Sequence, residues 1–493
     1  MSAFLNLAVY QKDTVALEHI AGRLGWDQET MMPSGSIDDR VEEFSAIEKL
    51  LHARRSSAEL EQLLAEAEAE NLDAVQMRQT TLIRNKFERT KKVPQDLAVA
   101  LARLTPKAHK IWVEARENDD FSIFKPVLAE VIVHTQDLGA ALADGTEETP
   151  YDALLRRYEP DGSSEKITKM FSALRGPLVA LRAAVLNRAQ PPELDQIFDS
   201  GKQMQVAHIL AQSFGYDFSR GRIDKAVHPF SSGSSSDVRI TTRTSERDPM
   251  NCFYSTIHEV GHGAYEQNIN ATYAFSVLGK GCSMGIHESQ SRIYENQLGR
   301  SRGYTAFLFR QMKSVFGDFG VRNEENFYKI VNRVSQGYIR TEADELQYNL
   351  HIMLRYDLER ALISGDLNFE DLETAWNDRF EADFGCKVDK ASDGVLQDVH
   401  WSEALFGYFP TYSLGNVYAG CLFEKMSEDL PNLENDLEKG DTSRATDWLK
   451  VALQRHGSRY PAEELMSKAC GKEPSVDPLV TYIERKFSEI YDL

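Results

Sequence analysis

The stretch His258-Glu259-Val260-Gly261-His262 is an H-E-x-x-H motif, and it constrains the fold because its chemistry requires a helix. Two His residues at positions i and i+4 project from one helix face about one turn apart, so two imidazoles can share one Zn²⁺. The Glu beside the first His is then placed to handle the proton of a water molecule. The motif therefore predicts a helix around residues 258–262 and a zinc hydrolase.

The residues around the motif predict the same helix. Asp248-Pro249 is typical of an N-cap followed by Pro at the first helical position. An apolar stripe at helical spacing follows, marked by Phe253, Ile257 and Ala264. Gly261 and Gly263 each cost about 1 kcal/mol of helix propensity relative to Ala, which indicates that another segment or a substrate packs closely here.

A catalytic zinc ion requires three protein ligands and one open position. Glu266 lies about 12 Å along the helix axis from His258, at about 1.5 Å of rise per residue, so the third ligand must come from another segment. The stretch 285–295 has helical spacing and offers His287, Glu288 and Glu295. Spacing alone does not rank these three, and each is otherwise a solvated or salt-bridged helix residue.

A series of further motifs occurs in a fixed order along most of the chain, from about residue 24 to about residue 416. They are Leu24-Gly25-Trp26-Asp27-Gln28-Glu29-Thr30 with Pro33, His228-Pro229-Phe230, Asp237-Val238-Arg239-Ile240-Thr241, the H-E-x-x-H motif, His287-Glu288-Ser289-Gln290, Ile339-Arg340-Thr341-Glu342-Ala343-Asp344, and Gly394-Val395-Leu396-Gln397-Asp398-Val399-His400-Trp401. With this series the chain resembles the carboxypeptidase Taq family of zinc metallocarboxypeptidases.

The resemblance implies a site and a function. By position, the family's zinc ligands fall on His258, His262 and Glu288, and its general base falls on Glu259. It also implies one Zn²⁺ per chain, or Co²⁺ in its place, a mostly helical fold with a long deep groove, a homodimer, and removal of C-terminal residues from peptides. With Glu288 as the ligand, Glu295 is expected to be a surface carboxylate whose removal leaves the metal in place.

Composition and periodicity predict a mainly α protein. The chain has 493 residues, 42% of them hydrophobic and 27% charged, and no linker long enough to divide it, so a single domain spanning residues 1–493 is expected. Between about residues 216 and 244, Gly, Ser and Pro interrupt the helical spacing. There, residues 238–242 predict a strand in a small hairpin or sheet beside the zinc helix. This strand either pairs with an extended peptide substrate or covers a helix end.

Charge and cysteine content limit the partners and the location. The formal net charge of −20 argues against nucleic acids and anionic membranes as partners, because both require a basic surface. The first residues do not resemble a signal peptide, and no apolar stretch reaches the length of a membrane span. Five Cys residues without a C-x-x-C pair indicate a reduced, cytoplasmic setting. Cys252 and Cys282 are expected to be apolar packing residues, not zinc ligands.

An exopeptidase that acts at the C-terminus needs an oriented cation for the α-carboxylate, and the planar fork of Arg suits this role. Arg340, Arg239 and Arg243 are candidates, and Arg340 ranks first because it lies in a motif that the family shares. Each could instead form an ordinary ion pair with an acid nearby in the sequence, such as Asp237, Glu342 or Asp344.

Catalysis also requires hydrogen-bond donors near the carbonyl oxygen on which charge develops. His400 and Tyr412 are candidates, although a structural His and a core Tyr explain them nearly as well. Two other functions remain open at this point. One is a zinc oligopeptidase or endopeptidase on a similar helical scaffold, and the more remote one is a helical scaffold without catalytic activity.

Overall fold

The computed structural model of the protein describes residues 2–493, and α-helices make up most of it. The helices of the described residues are α1 (Ala3–Thr30), α2 (Ile37–Arg55), α3 (Ala58–Glu68), α4 (Ala74–Lys92), α5 (Gln95–Glu117), α6 (Phe121–Ala143), α7 (Pro150–Leu155), α8 (Ser164–Leu186), α9 (Ser200–Ser213), α10 (Pro249–Asn268), α11 (Met284–Arg292), α12 (Arg302–Phe316), α13 (Glu324–Val331), α14 (Tyr348–Ser364), α15 (Leu372–Phe384), α16 (Pro410–Asp429), α17 (Leu433–Glu438), α18 (Ser443–Ala452), α19 (Ala462–Cys470) and α20 (Asp477–Tyr491). The strands are β1 (Ile223–Lys225), β2 (Ser231–Ser234) and β3 (Asp237–Thr242). The predicted mainly α class with a small sheet is confirmed. Within residues 2–493, none of the helices has the length and apolar character of a membrane span.

The chain forms two compact units, each built from separate stretches of sequence. The first unit contains the chain up to Thr90, Pro191–Asn332 and Tyr418–Pro474. The second unit contains Lys91–Gln190, Arg333–Val417 and Ser475–Leu493. The single domain and the deep groove expected from the sequence stay predictions.

In the first unit, the N-terminal helices pack through an apolar cluster. The side chain of Ser2 caps α1 by accepting a hydrogen bond from the backbone N–H of Leu5, which satisfies one of the donors left open at a helix start. Leu7 of α1, Leu64 of α3 and Phe87 of α4 are almost completely buried in this cluster. Burying each such side chain contributes roughly 1.5–3 kcal/mol, so this cluster holds the three helices together.

Helix α10 carries the H-E-x-x-H motif and is mostly buried in the first unit. It begins at Pro249, and the side chain of Asp248 caps it by accepting a hydrogen bond from the N–H of Asn251, as the sequence predicts. A Cβ added at Gly261 would lie 2.5 Å from the carbonyl oxygen of Gln290 in α11. The absence of a side chain at Gly261 therefore lets α11 approach α10 closely, and the close packing predicted from this glycine is confirmed.

The small sheet lies beside α10, and β3 is its central strand. Strand β1 pairs with β3 in parallel and β2 pairs with it in antiparallel orientation, giving the order β1-β3-β2. The hydroxyl of Thr242 donates to the carbonyl oxygen of Cys252, which ties the end of β3 to α10. Because both edges of β3 are already paired, the sequence-based suggestion that this strand pairs with a peptide is wrong for β3 itself.

In the second unit, α14 is mostly buried. Leu350, Met353 and Leu354 are completely buried in it, and it packs against α6, α7, α8 and α15. The residues that follow α15 form loops and a 3₁₀ turn as far as α16, at Pro410. This stretch includes the motif that ends in His400 and Trp401, so its conformation depends on side-chain contacts with the helices of the second unit.

Candidate active site

His258 and His262 lie on one face of α10, one helical turn apart. Their ring centroids are 5.0 Å apart and their planes are nearly perpendicular. Both imidazoles are largely buried, with 18% and 16% of their side-chain surface exposed. The pair therefore presents two nitrogen donors to one small volume, as the spacing in the sequence predicts.

Helix α11 brings a carboxylate to the same volume. Oε2 of Glu288 lies 3.5 Å from Nε2 of His262 and 3.9 Å from Nε2 of His258. The three side chains each offer a ligand atom, and these atoms lie within 4.8 Å of one another. The other carboxylate oxygen of Glu288 accepts a hydrogen bond of 2.6 Å from Nε of Arg292, which fixes the direction in which Oε2 points.

This donor set fits a divalent metal ion. Two imidazole nitrogens and one carboxylate oxygen form the ligand set of many catalytic zinc sites. Burial and the neighbouring His287 and His258 hold the pKa of His262 well below its usual range, so this ring is neutral and offers a lone pair. At His258 burial opposes the charged form, but the carboxylates of Glu288 and Glu295 outweigh burial and raise the pKa of the ring. A cation placed among the three ligand atoms would face the carboxylate of Glu288, which favours its binding.

Glu259 lies next to this cluster and is buried, with 6% of its surface exposed. Burial and the nearby carboxylate of Glu288 raise the pKa of Glu259 to about 7, although His258 opposes the shift. Within residues 2–493, its Oε2 has no hydrogen-bond partner. An unsatisfied buried carboxylate oxygen is costly, and such groups occur where a function requires them. These properties suit a group that accepts and donates protons near neutral pH.

Glu295 differs from the expectation drawn from the sequence. It lies in a π-helical segment (Ile293–Leu298) that directly continues α11, and only 15% of its side chain is exposed. Its Oε2 accepts a hydrogen bond of 2.9 Å from Nδ1 of His258. Burial alone would raise its pKa, but His258, Arg292 and Arg300 lower the pKa well below the usual range. The prediction of a surface carboxylate at this position is wrong, because α11 and its extension pack along α10 and bury this face.

His287, the third residue considered for the metal, lies behind His262. Its Nδ1 is 2.6 Å from Nδ1 of His262, on the side of that ring that faces away from Glu288. His287 therefore contacts the candidate ligand His262, and its own nitrogens are not among the three candidate ligand atoms. Arg292 is a residue of the site that was not expected from the sequence; it donates to Glu288 and also lies 3.4 Å from Glu295. Its spacing of +4 and −3 from these two Glu residues is a signal that could have revealed it.

Arg340 is buried in the second unit and pairs with an acid that is distant in the sequence. Its Nε and one terminal nitrogen donate to Oδ1 of Asp398 at 2.9 and 2.7 Å, and the other terminal nitrogen donates to the hydroxyl of Tyr348 at 3.0 Å. Arg355 donates to the second oxygen of Asp398. The partner is thus neither Glu342 nor Asp344, and two Arg side chains share one carboxylate.

His400 and Tyr412 lie together next to Arg340. Nε2 of His400 is 3.2 Å from the hydroxyl of Tyr412, and the Arg340 guanidinium lies 5.2 Å from the centre of the Tyr412 ring. Burial and the nearby Arg340 and Arg355 lower the pKa of His400 to about 3, so its ring is neutral. The structure therefore brings together three of the five residues considered for substrate binding.

The other two, Arg239 and Arg243, belong to the first unit. Arg239 pairs with the acid next to it on β3. It donates two hydrogen bonds to Asp237, at 2.8 and 3.0 Å, and its guanidinium lies 4.5 Å from the centre of the Trp26 ring. This contact joins two of the sequence motifs, and it favours the ion-pair interpretation of Arg239. Arg243 donates to the side-chain oxygen of Asn251 at 2.7 Å. Cys252, considered and set aside as a ligand, is buried, and burial raises the pKa of its thiol to about 11.

Comparison with known proteins places this site in a family. The family model for carboxypeptidase Taq (M32) metallopeptidases matches residues 6–487. Thermostable carboxypeptidase 1 of Thermus thermophilus is 36% identical over an alignment of 509 positions, covering 99% of both chains. Carboxypeptidase 1 of Bacillus subtilis is 33% identical, covering 98% of this chain and 96% of the relative.

Solved structures agree with the sequence relatives. The M32 carboxypeptidase from Deinococcus radiodurans superposes with a TM-score of 0.96 at 34% identity, covering 100% of both chains. Metallocarboxypeptidase 1 of Trypanosoma cruzi gives a TM-score of 0.95 at 31% identity, covering 98% of this chain and 99% of its own. The chain therefore belongs to the carboxypeptidase Taq (M32) family of metallopeptidases and is an enzyme of the metallocarboxypeptidase class.

Proposed function

We propose that this protein is a zinc-dependent carboxypeptidase that removes C-terminal residues from peptides, with His258, His262 and Glu288 as the metal ligands and Glu259 as the general base. The observation that carries the proposal is the convergence of three ligand atoms within 4.8 Å beside a buried carboxylate whose Oε2 has no hydrogen-bond partner in the described chain. One ion per chain is expected, because this cluster provides one set of three ligands. Co²⁺ has the same preference for such donors and is expected to substitute.

In this proposal the protein side chains orient the ligands and move the protons. A bound divalent metal ion supplies Lewis acidity, which activates water and polarises a carbonyl group. Glu259 accepts the proton of the attacking water and delivers it to the leaving amine, and its pKa of about 7 suits both transfers. Glu295 accepts a hydrogen bond from the Nδ1–H of His258, which leaves Nε2 of that ring as the ligand atom.

The arginine cluster of the second unit supports a preference for free C-termini. Arg340 and Arg355 share the single carboxylate of Asp398, and the neutral His400 adds no charge. The cluster therefore carries one excess positive charge in a buried setting, where an additional carboxylate would be attracted strongly. We assign the binding of the α-carboxylate to Arg340, supported by the hydroxyl of Tyr412 and by His400. Peptides with a free C-terminus are the substrates under this proposal, and a homodimer stays an expectation from the family resemblance.

The test compares one peptide with a free and with an amidated C-terminus, using wild type and Arg340→Ala. Amidation removes the partner of a charge-assisted pair worth about 1.5–3 kcal/mol, so kcat/KM should fall at least about tenfold for wild type. Arg340→Ala should lower kcat/KM for the free acid strongly and hardly change the already low rate on the amide, because both changes remove one interaction. Arg239→Ala serves as the matched control, since it removes another Asp-paired Arg.

Two outcomes would contradict the proposal. Additive losses in the two-by-two set would show that Arg340 does not bind the carboxylate. Equal cleavage of the acid and the amide by wild type would favour a zinc oligopeptidase instead. Arg340→Lys should recover only part of the activity, because a point charge does not reproduce the two-point geometry of the guanidinium.

A further inference from the structure

The face of α10 that carries His258 and His262 continues for one more turn to Glu266. These residues are spaced four apart, so their side chains lie one above another on the helix. Glu266 is buried, with 7% of its surface exposed. It is too far along the axis from His258 to share a metal ion with it. Its position therefore calls for another explanation, since a buried carboxylate is costly without a partner.

His287 connects Glu266 to His262. Oε1 of Glu266 lies 3.1 Å from Nε2 of His287, and Nδ1 of His287 lies 2.6 Å from Nδ1 of His262. The remaining nitrogen of His262, Nε2, lies 3.5 Å from Oε2 of Glu288. A continuous chain of hydrogen-bonding atoms thus runs from Glu266 through two imidazoles to the proposed metal position.

Glu266, at the start of this chain of hydrogen bonds, determines which nitrogen of each ring carries the proton. A carboxylate accepts hydrogen bonds and donates none, so Nε2 of His287 carries the proton of that ring. With a single proton on the His287 ring, its Nδ1 has a lone pair and accepts. Nδ1 of His262 must therefore be the donor, and the lone pair of His262 is on Nε2, which faces Glu288. One acidic side chain thereby selects the tautomer of a ring that it does not touch.

Close packing keeps the intermediate ring in place. The His287 ring centroid lies 5.2 Å from that of Tyr265. On another side, a Cβ added at Gly281 would come within 2.9 Å of Cδ2 of His287. The backbone N–H of Gly281 also donates to Oε1 of Glu266 at 3.3 Å. The two members of the chain behind His262 are therefore held by α10, α11 and the loop between them.

We propose that Glu266 and His287 form a hydrogen-bond relay that positions His262. The relay fixes His262 in the tautomer that offers Nε2 to the metal. This inference rests on the metal site of the proposed function. It also accounts for the different hydrogen-bond partners of Nδ1 in His258 and in His262. Glu295 accepts directly from His258, whereas His262 faces a second His whose own proton is held by Glu266.

The variant Glu266→Gln tests the relay with almost no change in size. The amide can donate to Nε2 of His287 as well as accept from it, so the chain can reverse and place the proton of His262 on Nε2. His287→Phe keeps a ring but offers His262 no acceptor. Removing such supporting partners typically weakens metal binding by about 10–100-fold. We expect the dissociation constant for Zn²⁺, measured by competition with a chelator, to rise about tenfold in Glu266→Gln and up to about a hundredfold in His287→Phe.

Two further measurements separate the relay from general damage to the fold. Glu266 acts on His262 only through His287, so the double variant should bind Zn²⁺ no more weakly than His287→Phe alone. In metal-free protein with ¹⁵N-labelled histidine, NMR should show His262 protonated at Nδ1 in wild type and a mixture of tautomers in Glu266→Gln. The matched control is Gln267→Ala, which removes the neighbouring buried side chain and its hydrogen bonds to the backbone of Asp217. It should leave both readouts unchanged.

The outcomes distinguish the relay from the metal site itself. An unchanged Zn²⁺ dissociation constant and an unchanged tautomer in Glu266→Gln would overturn the relay even if wild type binds the metal tightly. Additive losses in the double variant would also overturn it. If wild type failed to bind Zn²⁺ while NMR still showed the tautomer dependent on Glu266, the proposed function would fail and the hydrogen-bond chain would stand.

Discussion

Glu359 in α14 is an acidic residue that is completely buried, so it should make the free energy of unfolding depend on pH. Its carboxylate accepts hydrogen bonds from the hydroxyl of Tyr151, Nε1 of Trp401 and the N–H of Gly407. Burial raises the pKa of Glu359 from 4.5 to about 7, although these three donors oppose the shift. The bonds from Trp401 and Gly407 also hold the segment that contains His400, so this carboxyl group supports the predicted substrate site.

The sign of the effect on stability follows from the raised pKa. Below pH 4.5 the group is protonated in both the folded and the unfolded chain, and its contribution to stability is complete. As the pH rises from 4.5 to about 7, the unfolded chain loses this proton while the folded chain keeps it, so the free energy of unfolding falls. The difference between the two pKa values corresponds to about 3–4 kcal/mol of unfolding free energy, at about 1.4 kcal/mol per pH unit.

The number of protons released on unfolding measures this effect directly. Halfway between the two pKa values the folded chain binds about 0.9 proton more at this position than the unfolded chain, from the two titration curves. We expect unfolding in urea at that pH, followed in a pH-stat, to release about 0.9 proton more from wild type than from Glu359→Gln. In Tyr151→Phe, which loses one donor to the carboxylate, the extra proton should be retained to higher pH. Equal release from wild type and Glu359→Gln would refute the reasoning.

Two further predictions concern the metal site. Glu259→Gln should keep metal content near wild type and lower kcat at least about a hundredfold, because it removes the proposed general base. Metal analysis with steady-state kinetics tests this, and loss of metal or survival of activity would reject the assignment. Glu288→Ala should abolish tight metal binding, whereas Glu295→Ala should weaken it by only about 10–100-fold, because it removes the acceptor that orients His258. Titration with Zn²⁺ would assign the ligand role to Glu295 if the two effects were reversed.

The elements that depend on local sequence could be predicted. The start of α10 follows from Asp248 and Pro249, and the close approach of another segment follows from Gly261. The small sheet was expected from alternating β-branched residues, but the central place of β3 was not. Strand order depends on which segments reach each edge, and residues 223–225 and 231–234 carry too few apolar residues to indicate this.

At the site, the side-chain pairings that could not be predicted are those between residues distant in the sequence. Arg340 was expected to pair with an acid close to it in the sequence, but its partner Asp398 lies 58 positions away. Glu295 was expected at the surface, although its spacing of seven residues from Glu288 keeps both near one helix face. The sequence does not state which face meets α10, since that depends on the packing between the two helices. Residue types were therefore predictable where a motif fixed them, and their partners were not.

The carboxylates around the two His rings take different roles because each imidazole has two distinct nitrogens. A ring that binds a metal through one nitrogen carries its proton on the other, so an acid on the metal side becomes a fellow ligand and an acid on the far side becomes an acceptor. Glu288 lies on the Nε2 side of both rings, at 3.5 and 3.9 Å. Glu295 lies on the Nδ1 side of His258, and His287 lies on the Nδ1 side of His262. Under the proposed function, the same residue type thus acts as a ligand or as a support according to the ring nitrogen that it faces. This distinction exists only once α10 and α11 have packed together.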